Sequence, residues 1–230
     1  MNPHITKYDA VEFAQASAEN MGISRDKVRP HELLLFSKLD SAQNRYEFSL
    51  KHEEARDVLA TARGLLDRDA FVAVGMAIGI VPVPILNSVE RPTAAAPVYW
   101  PDPYIFDEAA AGSGSNYLSE AQALESIFWG THTLTTNEGN RIDRNPNTYF
   151  RTIQETQAAS GTSNLQTGME IKDIGAAVRF GGGDENRIVI DIASSDKTKI
   201  GGKSGERQNY LMVRLVGAII KGSTTKQYLK

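Results

Sequence analysis

The spacing of apolar and polar residues changes period several times along the chain. Residues 8–21, YDAVEFAQASAENM, carry apolar side chains at helical spacing. Thr6-Lys-Tyr-Asp9 in front of them has the form of a capping box, with Asp where Glu or Gln is usual, and Gly22 supplies a stop. A helix over 8–21 is predicted, followed by a polar link at 24–31. ELLLFSKL (32–39) and NRYEFSLK (44–51) then read as short strands. In the second, Tyr46, Phe48 and Leu50 alternate with Glu47, Ser49 and Lys51. The short link Asp40-Ser-Ala-Gln43 makes the two a predicted hairpin, and 53–66 is locally helical.

The longest uncharged run, AFVAVGMAIGIVPVPIL (70–86), has 17 residues, the short edge of a membrane span. Pro82 and Pro84 interrupt it, and its β-branched content suits a strand buried on both faces. Residues 87–116, with Pro92, Pro97, Pro101, Pro103 and the run GSGSN, read as a long loop pinned by Tyr99-Trp100 and Tyr104-Ile-Phe106. Ser119-Glu-Ala-Gln122 is a better capping box and opens a second helix at 119–129, with Leu118 placed to staple it. Beyond it, strands are predicted at 131–136, 148–154, 169–180, 187–193 and 209–222, with turn residues between them and no helices.

That order gives a mainly β chain: an antiparallel, jelly-roll-like β-sandwich with an N-terminal helix and one or two short inserted helices. A parallel βαβ sheet is excluded because the crossover helices are missing. The organisation expected is an N-terminal helical arm (1–31), a sandwich (32–222) with the long loop 87–116, and a basic C-terminal tail (223–230).

Composition narrows the chemistry. The 230 residues are 41% hydrophobic and 23% charged, an ordinary globular balance, and include no Cys. Disulfides, thiolate nucleophiles and Cys-based metal sites are therefore excluded. Met1-Asn-Pro-His-Ile-Thr lacks a charged-then-apolar leader, so a secretory signal is not expected. Residues 197–230 hold eight basic side chains against Glu206, so this end is strongly positive in a chain whose net charge is −3. It suits contact with nucleic acid, a membrane or an acidic neighbouring subunit, or else a solvated tail with Lys guarding sheet edges.

Catalytic motifs fail on spacing. Gly202-Lys203-Ser204 lacks the earlier glycine of a phosphate-binding loop, and a strand rather than a helix follows it. Gly181-Gly182-Gly183-Asp184 lies between two strands and reads as glycines at positive φ in a hairpin turn. His4, His31, His52 and His132 share no metal spacing, and Asp67-Arg-Asp69 lacks a calcium loop's ligand pattern. No enzyme activity and no cofactor are expected.

The order of elements resembles a known family. Gln43-Asn-Arg-Tyr46-Glu-Phe48 leads to Leu66-Asp67-Arg-Asp69-Ala-Phe71, and then to the loop Tyr99-Trp-Pro-Asp-Pro103-Tyr-Ile-Phe106. Ala123-Leu-Glu-Ser-Ile127, Gly130, Phe150-Arg-Thr-Ile-Gln-Glu-Thr-Gln157 and Leu215-Val-Gly217-Ala-Ile-Ile-Lys-Gly222 follow. Over residues 32–222 this pattern is similar to virion proteins of tailless bacteriophages, lipid-containing phages among them, whose capsid subunits are jelly rolls. The resemblance implies a phage structural protein located in the virion and made in the host cytoplasm. Such a subunit self-assembles into a trimer, pentamer or larger shell as a major capsid or vertex protein, with other virion proteins as partners. Residues 1–29 hold four basic and four acidic side chains, so no polybasic genome-binding arm precedes the strands. Tyr99, Trp100, Tyr104, Phe106 and Trp129 are the candidate subunit-interface residues. The alternative is a receptor- or carbohydrate-binding sandwich, a spike or lectin-like module, that uses exposed aromatics to stack on sugar.

Overall fold

The computed structural model describes residues 7–20, 22–51, 65–85, 97–99, 101, 106, 119–151, 171–193 and 198–222. In chain order these form α1 (Lys7–Asn20), β1 (Val28–Lys38), β2 (Arg45–Ser49), β3 (Ala70–Pro84), α2 (Glu120–Phe128), β4 (Thr131–Thr136) and β5 (Gly139–Pro146). After a 3-10 helix at Asn147–Phe150 come β6 (Lys172–Gly181), β7 (Arg187–Asp191), β8 (Gly202–Lys203) and β9 (Arg207–Ile220). Most of the predicted helix at 53–66, most of the loop 87–116 and the tail 223–230 lie outside the described residues; Leu65, at the end of the first, forms a bridge with Lys51 rather than helix.

The strands make two antiparallel sheets. One runs β1-β9-β3-β6, with β8 beside the start of β9, and the other runs β2-β7-β4-β5. Leu33, Leu35, Ile78, Leu211 and Val213 of the first sheet share one core with Tyr46, Phe48, Leu134, Ile188 and Ile190 of the second. Two sheets packed through their apolar faces are a β-sandwich.

The uncharged run forms β3, the buried strand expected of it. It has no period-2 pattern for two reasons. Its outer face is also covered, and a bulge between Ala73 and Gly75 shifts its phase. Phe71 and Ala73 point into the shared core before the bulge, and Met76, Ile78 and Ile80 after it. On the outer face, α1 lays Ala14 and Ala18 against Val28, Ala70, Val72, Ala218 and Ile220. The N-terminal helix thus packs on its own sheet. Farther along the same face, Tyr99 closes over Phe36, Ala77, Val81 and Met212.

Three sequence expectations change. The segments 32–39 and 44–51 are not a hairpin: β1 pairs with β9 and β2 with β7, in different sheets. Between them the chain turns a corner, where the Tyr46 hydroxyl donates to Asp40 O (3.1 Å) and accepts from Asp40 N (3.0 Å). The glycine run 181–183 also crosses between sheets instead of closing a hairpin, because β6 pairs with β3 and β7 with β2 and β4. No glycine of that run has positive φ. Gly182 is needed for room, since a Cβ there would fall on the carbonyl of Leu66. Residues 148–150 are 3-10 helix rather than the start of a strand, and β5 occupies 139–146, where none was predicted.

Among the described residues, four cations of the basic end meet carboxylates of this chain. Lys203 pairs with Glu206 (2.8 Å), Arg207 with Glu120 (2.7 Å), Lys221 with the buried Asp69 (3.5 Å), and Arg214 with Glu32. Its main strand, β9, lies between β1 and β3, so Arg207 and Arg214 do not guard an edge, whereas Lys203 stands on β8, which pairs only with β9.

Candidate functional site

The sequence-predicted interface residues divide. Tyr99 is 5% exposed and Phe106 3%, so neither is the surface residue expected. The Tyr99 ring lies on Gly79, where a Cβ would come within 3.2 Å of it. Burial pushes its hydroxyl pKa up, and Arg214 nearby only partly counters this. Phe106 packs beneath the Arg207 guanidinium, 5.3 Å from ring centroid to Cζ. Both aromatics are folded onto the sandwich, the pinning role that the loop's sequence also suggested for them. Trp100 and Tyr104 lie outside the described residues. Trp129 is 58% exposed and remains a surface candidate.

Trp129 does not stand alone. It caps the C-terminus of α2, the helix whose capping box the sequence announced. The Ser119 hydroxyl accepts from Gln122 N (3.1 Å), and the Gln122 side chain accepts from Ser119 N (3.2 Å). The chain turns at Gly130 into β4, and β5 returns to place the 3-10 helix against the same helix end. Asn147, fully buried, makes that junction. Its backbone N donates to Gly130 O (3.0 Å) and its amide to Ile127 O (2.7 Å). Its amide oxygen is left to accept from His132 Nδ1 at 3.1 Å, which fixes the tautomer.

This anchor holds a rim of two outward aromatics, Trp129 and the 49%-exposed Tyr149. The Arg151 guanidinium sits 5.5 Å from the Trp129 ring and reaches Glu125 at 3.3 Å, while Lys172 Nζ lies 5.8 Å from the Tyr149 ring. Trp, Tyr and Arg on a rigid support are the residue types that dominate association energies. The sequence reading missed Tyr149 because TYFRTIQ looked like a strand. The signal was Asn145-Pro146-Asn147: proline cannot donate to a ladder, and Asn favours turns.

His132 backs the rim, stacked edge-on against Phe150 at 4.9 Å. Burial lowers its pKa, opposed in part by the bonds to Asn147 and to the Asn145 backbone. Above its ordinary value of 6.5 the imidazole is neutral in both states and contributes nothing. Below it the unfolded chain takes the proton more readily, so stability falls as pH drops toward the folded pKa. Urea unfolding midpoints at about pH 7.5 and about pH 5.5 should therefore separate more for the native chain than for His132→Gln. Equal separations would show that this histidine is not held neutral.

The outer face of the second sheet is open and polar. Arg45, Thr133, Thr135, Arg187 and Asp191 line a shallow groove of about 500 Å³ across it. Among the described residues, no three His, Cys, Asp or Glu side chains converge on a metal position. Also among them, no helix is long and apolar enough to cross a membrane. No family model matches the chain, and neither a curated protein nor a solved structure matches it.

Proposed function

We propose that this chain is a structural protein of a bacteriophage virion, a jelly-roll subunit that associates with copies of itself in a capsid shell or at its vertex. The strand pairing carries the reading. With the short β8 set aside, first pairs with last, β1 with β9, and then β2 with β7, β3 with β6 and β4 with β5. That nesting is what results when one long antiparallel ribbon is rolled up, and the β3–β9 and β4–β7 ladders close the two sheets. Jelly rolls serve as capsid subunits, lectins and cupins. The resemblance of residues 32–222 to tailless-phage virion proteins favours the first, with the virion as location and other virion proteins as further partners.

The Trp129–Tyr149 rim is the contact surface in this reading. Exposed aromatics beside Arg151 leave about half or more of their surface uncovered by the monomer and fit a neighbour's pocket. Light scattering of the purified chain at micromolar concentration should show discrete multimers. The double variant Trp129→Ala/Tyr149→Ala should dissociate them while leaving the subunit melting temperature nearly unchanged. A double variant that assembles like the native chain would remove the rim from the interface.

A further inference from the structure

The groove on the open sheet is built around a backbone anomaly. Arg144 has φ 49°, the only non-glycine positive φ among the described residues. It lies where β5 is bulged against β4, between the pairs His132↔Asn145 and Leu134↔Ile142. Its backbone N donates to Thr133 Oγ1 at 3.2 Å. A left-handed arginine costs conformational energy that a glycine would not, and bulges re-aim side chains. Here the bulged residue is an arginine that lines the groove.

The lining chemistry specifies the ligand class. Arg45 and Arg187 both face Glu47, at 3.1 Å and 3.8 Å, whereas Arg144 makes no ion pair among the described residues. Asp143, Glu185 and Asp191 also line the groove, so its cations are matched by carboxylates and no basic track exists for a phosphate backbone. The floor offers Val189 as its apolar patch, too little for a lipid chain or an apolar peptide. What remains is a dense mixture of donors and acceptors. Thr135 Oγ1 donates to Asn140 Oδ1 at 2.8 Å, a bond that does not use the Asn140 amide N–H groups. Sugar hydroxyls, each both donor and acceptor, satisfy such a set without net charge.

We infer that this groove binds an uncharged oligosaccharide, with Arg144, Thr133, Asn140 and Asp143 as its principal polar contacts. The site needs no assembly and stands whether or not the chain forms a shell. The test is a glycan array of galactose-, glucose- and N-acetylglucosamine-based neutral oligosaccharides beside sialylated and sulfated ones, followed by calorimetric titration of the best binder. The full chain should bind neutral glycans, and Trp129→Ala should bind them equally well. Arg144→Gly should weaken binding by about tenfold or more, the loss of a charge-assisted hydrogen bond. Its melting temperature should equal or exceed the native value, because glycine accepts the left-handed backbone. The combined substitution Thr133→Val/Thr135→Val should weaken binding as well. An array with no bound glycan, binding of acidic sugars alone, or Arg144→Gly binding with native affinity would overturn the site. Loss of self-association in Arg144→Gly without loss of glycan binding would overturn it too, and assign the face to a neighbouring copy.

Discussion

Gly217→Ala should destabilise the sandwich by about 3 kcal/mol, the upper part of the range for overpacking a close-packed interior. Gly217 sits mid-strand in β9, opposite Ala73 of β3 on one side and His31 of β1 on the other. A Cβ there would fall on the carbonyl oxygen of Val72 and within 3.0 Å of the Ala73 Cα. Those are backbone atoms, so no rotamer change relieves the clash. The crowding arises at the β3 bulge, where the ladder steps from Ala73↔Gly217 to Gly75↔Val216. In a chain of this size such a loss lowers Tm by roughly 6–12 °C, readable by calorimetry. A change of less than about 1 kcal/mol would mean that the two central strands are not so closely apposed.

Glu120→Ala should cost as much or more, about 3–5 kcal/mol, for an electrostatic reason. Glu120 opens α2 and is almost wholly buried. One Arg207 nitrogen reaches both its carboxylate oxygens at 2.7 Å, and the Asn209 amide donates to Oε1 at 2.7 Å. Arg207 also donates to Phe106 O (3.1 Å), and the Asn209 amide to Ile200 O (3.2 Å). One carboxylate thus ties α2, the segment at 106 and the start of β9 together. Removing it takes the carboxylate away from a guanidinium with little water around it. Replacing both partners by apolar residues, Glu120→Leu with Arg207→Met, should recover most of the loss, since Met still packs on Phe106 and no charge is left unpaired. If the double substitution is no better than Glu120→Ala, the cost lies in packing rather than in the orphaned charge.

How far the sequence foretold this molecule depended on the range of each signal. β3 and α2 were legible because their causes are local: an uninterrupted β-branched run, and a capping box read within four residues. The class followed, a mainly β chain of two antiparallel sheets. Pairing partners were not legible. β1 and β2 are neighbours in the chain and both apolar, so a hairpin was the economical reading. Yet β1 is covered along part of both faces and β2 on one, and burial decides which sheet each joins. β5 gave no signal because Ile142 is its one buried side chain; an edge strand of Asn, Arg and Asp carries no hydrophobic period. Glu120, Arg207 and Asn209 are unremarkable in sequence and become a network only through contacts spanning some ninety positions.

The surface residues were harder still. Aromatic content flagged Tyr99 and Phe106 along with Trp129, but composition does not say which rings fold inward. The left-handed Arg144 has no sequence signature, because arginine is not a residue type chosen for that conformation.

The decisive measurement for the shell reading is electron microscopy of the purified full-length chain near physiological salt. Images should contain closed, symmetric assemblies, rings or shells, in which each outline is one sandwich set beside identical copies. A field of single small particles, unchanged as the protein is concentrated, would mean that the chain works alone.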